Sequence, residues 1–306
     1  MTNLTVSALA LTDWMKQSQT QIETALSEFL PPETEIPTHL HAAMRYAVLD
    51  GGKRVRPLLV FAAGQLFDAN HAELTRAACA LEMIHAYSLV HDDMPCMDDD
   101  ALRRGKPTVH VKFGEATALL VGDALQAQAF LILTQGKNSP ERQLEMLRIL
   151  AHSSGSVGMC GGQAIDLASV GISLSRDQLE QMHQLKTGAL LRASVLLGAL
   201  CGKQLTEVEQ AALYRYSHAI GLAFQVVDDI LDATADSVAL GKTAGKDAAN
   251  NKPTYVSILG LNESKQLAEH LRLEAHNALS IFSTESQTSR TQRLLQLADF
   301  IVQRSA

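Results

Sequence analysis

Long stretches without proline or clustered glycine most constrain the fold of this chain. Each is long enough for a helix of roughly 20 to 30 residues. Apolar residues at Leu40, Met44 and Val48 repeat at helical spacing, and no alternating run of β-branched residues bounded by turns stands out. The pattern predicts one all-α domain over residues 1–306, with about ten or more helices. The stretches are residues 70–94, 110–135, 174–201 and 204–233.

The composition supports a helical core and narrows the function. Hydrophobic residues make up 46% of the 306 residues and aromatic residues only 5%, a mixture that favours helix over strand. The net charge of −7 argues against a nucleic-acid partner, which would need a surplus of lysine and arginine. A zinc site is not predicted, because the cysteines lack CxxC spacing. They are Cys79, Cys96, Cys160 and Cys201.

The apolar segments do not predict a membrane protein. The N-terminal segment lacks the basic region of a signal peptide. No uninterrupted apolar run reaches the ~18 residues that a membrane span needs. The nearest candidate, residues 188–201, contains Arg192. We therefore expect a cytoplasmic protein without a membrane span.

Two groups of aspartates follow two apolar helical segments. Paired carboxylates suit Mg²⁺, which binds one or two carboxylates together with substrate phosphates. Either group alone could be a solvated acidic loop. Because both groups end apolar helices, we expect them to face each other across one cavity. The aspartates are Asp92, Asp93, Asp98, Asp99 and Asp100 in the first group, and Asp228, Asp229 and Asp232 in the second.

The spacing differs between the two groups. Asp228 and Asp232 are four residues apart and share one helix face. Asp92 and Asp98 are six residues apart and would lie on different faces of a continuous helix. We expect Pro95 to end the helix, so that a loop brings Asp98 back toward Asp92.

Basic residues cluster beside glycines and beside the first aspartate group. Backbone amides at a glycine turn, together with lysine and arginine, can bind phosphate, although such a block could also be a basic surface turn. Arg103 and Arg104 could bind phosphate oxygens with both guanidinium nitrogens, or could merely neutralise the aspartates. The remaining candidates are Gly51, Gly52, Lys53, Arg54, Arg56, His85, Lys186, Thr187, Lys242 and Thr243.

Six blocks between about residues 40 and 260 carry a resemblance to a known family. The chain resembles short-chain trans-prenyl diphosphate synthases, in particular the bacterial farnesyl diphosphate synthases (geranyltranstransferases). The resemblance implies the all-α isoprenoid synthase fold around a central cavity, a homodimer, and condensation of isopentenyl diphosphate with an allylic diphosphate. The blocks are GGKRVRP, EMIHAYSLVHDDMPCMDDDALRRGKPT, GGQAIDL, KTGALLRA, FQVVDDILD and GKTAGKDAANNKPTYV.

The resemblance also assigns roles to individual residues. It implies Mg²⁺ ions, three per active site, for which Mn²⁺ can substitute. The metal residues would be Asp92, Asp93, Asp98, Asp228, Asp229 and Asp232, with Asp229 and Asp232 largely behind Asp228. The residues at the allylic diphosphate would be Arg103, Lys186, Thr187, Gln225 and Lys242, of which the last four are the catalytic candidates. The residues at isopentenyl diphosphate would be Gly52, Lys53, Arg56, His85 and Arg104.

Product length would depend on the helix face below the first aspartate group. In the family a bulky residue there stops growth of the prenyl tail, which assigns this role to Tyr87 with Ser88. Tyr87 and the four-residue spacing between Asp93 and Asp98 favour farnesyl diphosphate, with geranylgeranyl or geranyl diphosphate as alternatives. Residues 241–254 resemble a loop that closes over the site.

Other functions remain as alternatives. His91-Asp92 on a helix is compatible with an HD-type metal phosphohydrolase, which would need further histidine ligands. A class I terpene cyclase would carry a different second metal motif, and a non-catalytic prenyltransferase subunit would lack one aspartate motif. The C-terminus, FIVQRSA, is less basic than many related tails, and Arg304 is its candidate for reaching the site.

Overall fold

The computed structural model describes residues 10–49, 51–234, 253–282 and 288–304. The structure is 78% helical, which confirms the predicted all-α class. The first half of the chain forms α1 (Leu11–Phe29), α2 (Thr38–Val48), α3 (Val55–Leu66), α4 (His71–Asp92), α5 (Val109–Phe113), α6 (Glu115–Thr134) and α7 (Pro140–Ser154). The second half forms α8 (Met159–Ala168), α9 (Arg176–His183), a π turn (Gln184–Gly188), α10 (Ala189–Gly202), α11 (Glu207–Thr234), α12 (Tyr255–Leu259), α13 (Leu261–Ala278), a 3₁₀ turn (Leu279–Phe282) and α14 (Thr288–Gln303).

Local capping fixes where several helices begin. The Asn70 side chain accepts a hydrogen bond from the amide of Ala72 at the start of α4 (2.9 Å). A reciprocal capping box between Ser175 and Gln178 starts α9. These side chains satisfy amides that have no partner inside the helix.

The centre of the bundle is built from α3, α4 and α10. Both α3 and α10 are buried on almost every side. Small residues allow close packing here: a Cβ on Gly198 of α10 would lie 2.3 Å from the carbonyl oxygen of Val60 on α3. The core helices therefore hold α4, and with it the first aspartate group, in a rigid setting.

The structure differs from the predicted helices at three places. The predicted helix over residues 110–135 is divided at Gly114, whose φ of 87° ends α5 before α6 begins. The predicted helix over residues 174–201 contains the π turn. A short antiparallel hairpin, which the sequence did not predict, pairs β1 (Leu102–Arg103) with β2 (Lys106–Pro107).

Within the described residues, two helical stretches are long and apolar enough to cross a membrane by length and composition alone. They are Glu115–Thr134 and Arg176–Gly202. In the second, 72% of the apolar window is buried, which identifies it as a core helix of the bundle. In the first, only 39% is buried, so α6 presents an apolar face at the surface.

Candidate active site

The first aspartate group lies on a compact turn at the end of α4. The helix ends at Asp92, and the amide of Asp98 donates a hydrogen bond to the carbonyl oxygen of Asp92 (2.9 Å). A second bond runs from the amide of Asp100 to the carbonyl oxygen of Asp93 (3.2 Å). The turn contains Pro95 and returns Asp98 to Asp92, as the sequence predicts.

The electrostatic surroundings of Asp92 favour a bound cation. Burial, helped by the nearby Asp98 and Asp93 carboxylates, raises the pKa of the Asp92 carboxyl to about 6, although the charges of Lys186 and Arg103 oppose the shift. A carboxyl with a raised pKa gains when positive charge arrives beside it. Asp92 is therefore suited to meet a metal ion.

Asp93 and Arg103 form a salt bridge with each other. Arg103 Nη2 lies 2.6 Å from Asp93 Oδ1, and Arg103 Nε lies 2.8 Å from Oδ2. Asp93 is only 2% exposed, and burial raises its pKa in spite of the arginine. The hairpin that carries Arg103 explains the pairing, since it folds back onto the end of α4. The structure thus joins a predicted metal residue to a predicted diphosphate residue.

The π turn places Lys186 and Thr187 between the two aspartate groups. Lys186 Nζ lies 2.6 Å from Asp166 Oδ2 on α8, and its charge acts on Asp92. The Thr187 hydroxyl donates to Gln225 Oε1 on α11 (3.5 Å). Such single π turns are frequent at functional sites, because they project side chains that a regular helix would turn elsewhere.

The second aspartate group divides into exposed and buried members. Asp229 is 3% exposed and accepts hydrogen bonds from Gln225 Nε2 (3.0 Å) and from the amide of Tyr255 (2.7 Å). Asp232 is also buried, whereas the side chain of Asp228 is 41% exposed. Asp228 is therefore the member of this group most available to a metal.

Arg304, which we did not include among the predicted site residues, contacts Asp228. Its Nη2 lies 2.8 Å from Asp228 Oδ1 and 2.9 Å from the carbonyl oxygen of Phe224. Its guanidinium carbon lies 4.0 Å from the centre of the Phe224 ring. It also lines a cleft with Lys53. The contact joins the C-terminal helix to the second aspartate group, a proximity with no local sequence signal.

A cationic cluster forms where isopentenyl diphosphate was expected to bind. Arg104 packs on Gly52, where a Cβ would lie only 2.7 Å from Arg104 Nη2. Burial, followed by the charges of Arg56 and Arg104, holds the pKa of His85 well below its usual range. His85 is therefore a neutral imidazole that can donate one N–H.

Arg54 and Arg56 have different surroundings although they are two residues apart. Arg54 is bonded to Glu82 Oε1 (2.6 Å), to Glu23 and to the carbonyl oxygen of Val48 (2.6 Å). In the described residues, the buried Nε of Arg56 has no hydrogen-bond partner. Arg54 therefore stabilises the fold, whereas Arg56 is suited to an anionic ligand.

The predicted residues for product length lie on α4 below Asp92. Tyr87 is buried, with its hydroxyl 3.5 Å from Cys160 Sγ on α8 and its ring edge-on to His91. Ser88 is half-buried and donates to the carbonyl oxygen of His85 (2.9 Å). Lys242, Thr243 and most of the predicted closing loop lie outside the described residues.

The oxygen ligands fit a divalent metal that is completed by its substrate. Among the residues that the structure describes, no three His, Cys, Asp or Glu side chains form a ready-made metal cluster. Asp92, Asp98 and Asp228 instead supply separate carboxylates beside cationic side chains. This arrangement suits Mg²⁺, which keeps waters and binds through few carboxylates plus phosphate oxygens.

Comparison with known proteins points to one family of enzymes. The polyprenyl synthetase family model matches residues 37–285. A probable farnesyl diphosphate synthase of Bradyrhizobium diazoefficiens is 51% identical over 287 residues, covering 93% of this chain and 85% of the relative. The farnesyl diphosphate synthase of Escherichia coli is 46% identical over 288 residues, covering 93% of this chain and 96% of the relative.

Solved structures of similar fold include two informative ones. An FPP/GFPP synthase of Zymomonas mobilis, in apo form, has a TM-score of 0.84 and 42% identity, covering 95% of this chain and 98% of that one. A geranyltransferase of Helicobacter pylori, complexed with magnesium and isoprenyl diphosphate, has a TM-score of 0.84 and 32% identity, covering 97% and 99%.

Proposed function

The chain belongs to the polyprenyl synthetase family, and from this premise we propose that it condenses isopentenyl diphosphate head to tail with dimethylallyl or geranyl diphosphate. The products are farnesyl diphosphate and pyrophosphate. The names of the relatives support this reaction, because they are farnesyl diphosphate synthases over most of the chain.

One observation carries the proposal: the π turn links both aspartate groups through side chains that suit a diphosphate. Lys186 acts on Asp92, and Thr187 reaches Asp229 through Gln225. An allylic diphosphate held between the groups would meet the Lys186 ammonium and the Thr187 hydroxyl. These groups would stabilise the charge that develops on the diphosphate as its C–O bond breaks.

We propose magnesium as the metal, held by Asp92, Asp98 and Asp228. When bound, the ions would neutralise charge on the departing pyrophosphate. The complex of the Helicobacter pylori geranyltransferase with magnesium and isoprenyl diphosphate supports this choice. We propose that each active site binds three Mg²⁺ ions and that Mn²⁺ can replace them. Asp93, Asp229 and Asp232 would support the arrangement from behind, since all are buried.

The second substrate would bind at the cationic cluster. Arg56 and Arg104 would pair with the diphosphate of isopentenyl diphosphate, and neutral His85 would donate its N–H to the same group. Gly52 would allow the close approach and Lys53 would add charge at the rim. The double bond of this substrate would attack the allylic cation, and the released pyrophosphate would accept the proton that is lost.

We propose that Tyr87 limits the product to C15. It lies about one helical turn below Asp92, along the direction in which a tail bound at Asp92 can extend down α4. Geranylgeranyl and geranyl diphosphate remain the alternative products. The Zymomonas mobilis protein is an FPP/GFPP synthase, so that similar chains are linked to more than one product length.

We also propose that the chain forms a homodimer and works in the cytoplasm. On α6, Leu119, Leu120 and Leu131 are 49%, 53% and 52% exposed, and Leu144 on the adjacent α7 is 68% exposed. Burial of this face against a second copy would remove apolar area from water. Light scattering after gel filtration would report twice the chain mass for the parent chain, and Leu120→Lys would lower the measured mass.

The cysteines agree with a cytoplasmic location. All four are free thiols, as a reducing compartment requires.

Product analysis of the purified full-length chain tests the reaction. Isopentenyl diphosphate, geranyl diphosphate and Mg²⁺ should yield farnesyl diphosphate, and omission of either substrate should abolish it. An HD-type phosphohydrolase would instead release phosphate from nucleotides. That alternative is not favoured, since His91 Nε2 lies 3.1 Å from the carbonyl oxygen of Leu119. A non-catalytic subunit would form no prenyl product even with both substrates and Mg²⁺ present.

A further inference from the structure

Tyr87 is held from three sides. Its ring is edge-on to the His91 ring, with centres 5.8 Å apart. His91 is itself fixed, because its Nε2 contacts the carbonyl oxygen of Leu119 and its ring packs on Gly122 so closely that a Cβ there would lie 1.9 Å away. The plane of the Tyr87 ring is therefore constrained by α4 and α6. The hydroxyl of Tyr87 is constrained separately, by a contact with α8.

The hydroxyl of Tyr87 meets α8. Its oxygen lies 3.5 Å from Cys160 Sγ, and the Gln126 side chain on α6 is near enough to affect its pKa. Cys160 lies on the exposed face of α8. The opposite, buried face of this helix carries Met159 and Gly162 and takes no part in the contact. The contact thus joins two helices, α4 and α8, across the space below Asp92.

We propose that Cys160 is a positioning residue that holds the Tyr87 ring across the prenyl-tail pocket and so sets the product length. This inference rests on the proposed function. A buried phenol hydroxyl needs a hydrogen-bond partner, and a ring that loses one can rotate toward another. Without the sulfur, the hydroxyl would lose this partner on α8, and the ring would spend more time in orientations that leave room for a longer tail.

Product length is the measurement, because a change in stability alone does not alter it. Cys160→Ala should raise the ratio of C20 to C15 products about fivefold, which corresponds to about 1 kcal/mol. Cys160→Ser keeps a hydroxyl partner and should retain the parent ratio. Val170→Ala, at an exposed position beyond the end of α8, is the matched control.

A double-variant comparison separates positioning from an indirect effect. Tyr87→Phe removes the other half of the contact and should raise the ratio by a similar factor. Together with Cys160→Ala it should raise the ratio no further, since either single variant already removes the whole Tyr87–Cys160 contact. The ratio is independent of the fraction of folded enzyme, so that a poorly folding variant is still informative.

Each outcome decides one question. An unchanged ratio in Cys160→Ala, or additive effects in the double variant, would overturn the role of Cys160. If every variant and the parent chain condense the substrates but share one ratio, only this inference fails. If the parent chain forms no prenyl product, the proposed function itself fails.

Discussion

Replacement of Arg304 by glutamine should strengthen metal binding at the second aspartate group. Arg304 Nη2 lies 2.8 Å from Asp228 Oδ1, so that a metal at Asp228 must compete with a guanidinium. Two unit charges at this distance interact by about 1.5 kcal/mol in water and about 6 kcal/mol at an effective dielectric constant of about 20. The Arg304 side chain is only 5% exposed, but the Asp228 side chain is 41% exposed, and screening by water at this carboxylate brings the interaction toward the aqueous limit. We therefore expect about tenfold tighter binding of Mg²⁺ in Arg304→Gln.

Isothermal titration of Mg²⁺ into the substrate-free protein measures this change directly, and Mn²⁺ counted by electron paramagnetic resonance gives a second measure. Arg148→Gln is the matched control, since it also removes one positive charge but from an exposed pair with Glu145 on α7. An affinity in Arg304→Gln that equals the control, or is weaker than that of the parent chain, would refute competition at Asp228.

Four other substitutions test separate parts of the structure. Asp228→Ala should lower turnover by about 10²-fold or more with an unchanged circular dichroism spectrum, because it removes a carboxylate that would hold the metal ion whose positive charge stabilises the leaving group; near-parental turnover would exclude Asp228 as a ligand. Tyr87→Ala should give products longer than C15, and chromatography showing only C15 would remove Tyr87 as the limit. Burial lowers the pKa of His183 to about 4, so that the native state resists the proton that the unfolded state binds below its usual pKa of 6.5. The contribution of His183 to stability is therefore complete above that pH and falls as pH drops toward 4, by about 2 kcal/mol at pH 5; because burial also lowers the pKa of His85 in both proteins, urea titrations at pH 7 and pH 5 should show a loss that is about 2 kcal/mol smaller in His183→Gln than in the parent chain. Arg54→Met should destabilise the fold by about 3 to 5 kcal/mol, since it leaves the buried Glu82 carboxylate without its cation, and an unchanged urea midpoint would contradict this assignment.

The sequence predicted features that depend on neighbouring residues. The turn from Asp92 to Asp98 follows from Pro95, because proline ends a helix whatever surrounds it. The family resemblance, and not the local pattern, implied that Asp229 and Asp232 lie behind Asp228, and the roles of these residues at a metal stay predictions. Long apolar helices were predicted because their pattern repeats over many turns.

The particular contacts between distant side chains were not predicted. The two-residue strands around Arg104 and Gly105 are too short to show alternation, yet they deliver Arg103 to Asp93. The sequence left open whether Arg103 binds phosphate or neutralises aspartates, and only the folded chain shows it on Asp93. Arg304 was the candidate of the C-terminus for reaching the site, but it is 76 residues from Asp228, so that no local pattern indicated which side chain it would contact.

The π turn at Gln184–Gly188 keeps the buried faces of α9 and α10 aligned with each other. It takes up one residue more than an α-helical turn would. If the same residues formed a regular α-helix instead, the extra residue would rotate α9 against α10 by about 100°. Leu179 and Met182, which α9 now buries, would then turn away from the core. The π turn therefore lets the chain carry Lys186 and Thr187 on an additional residue at the site without changing which side of either helix is buried.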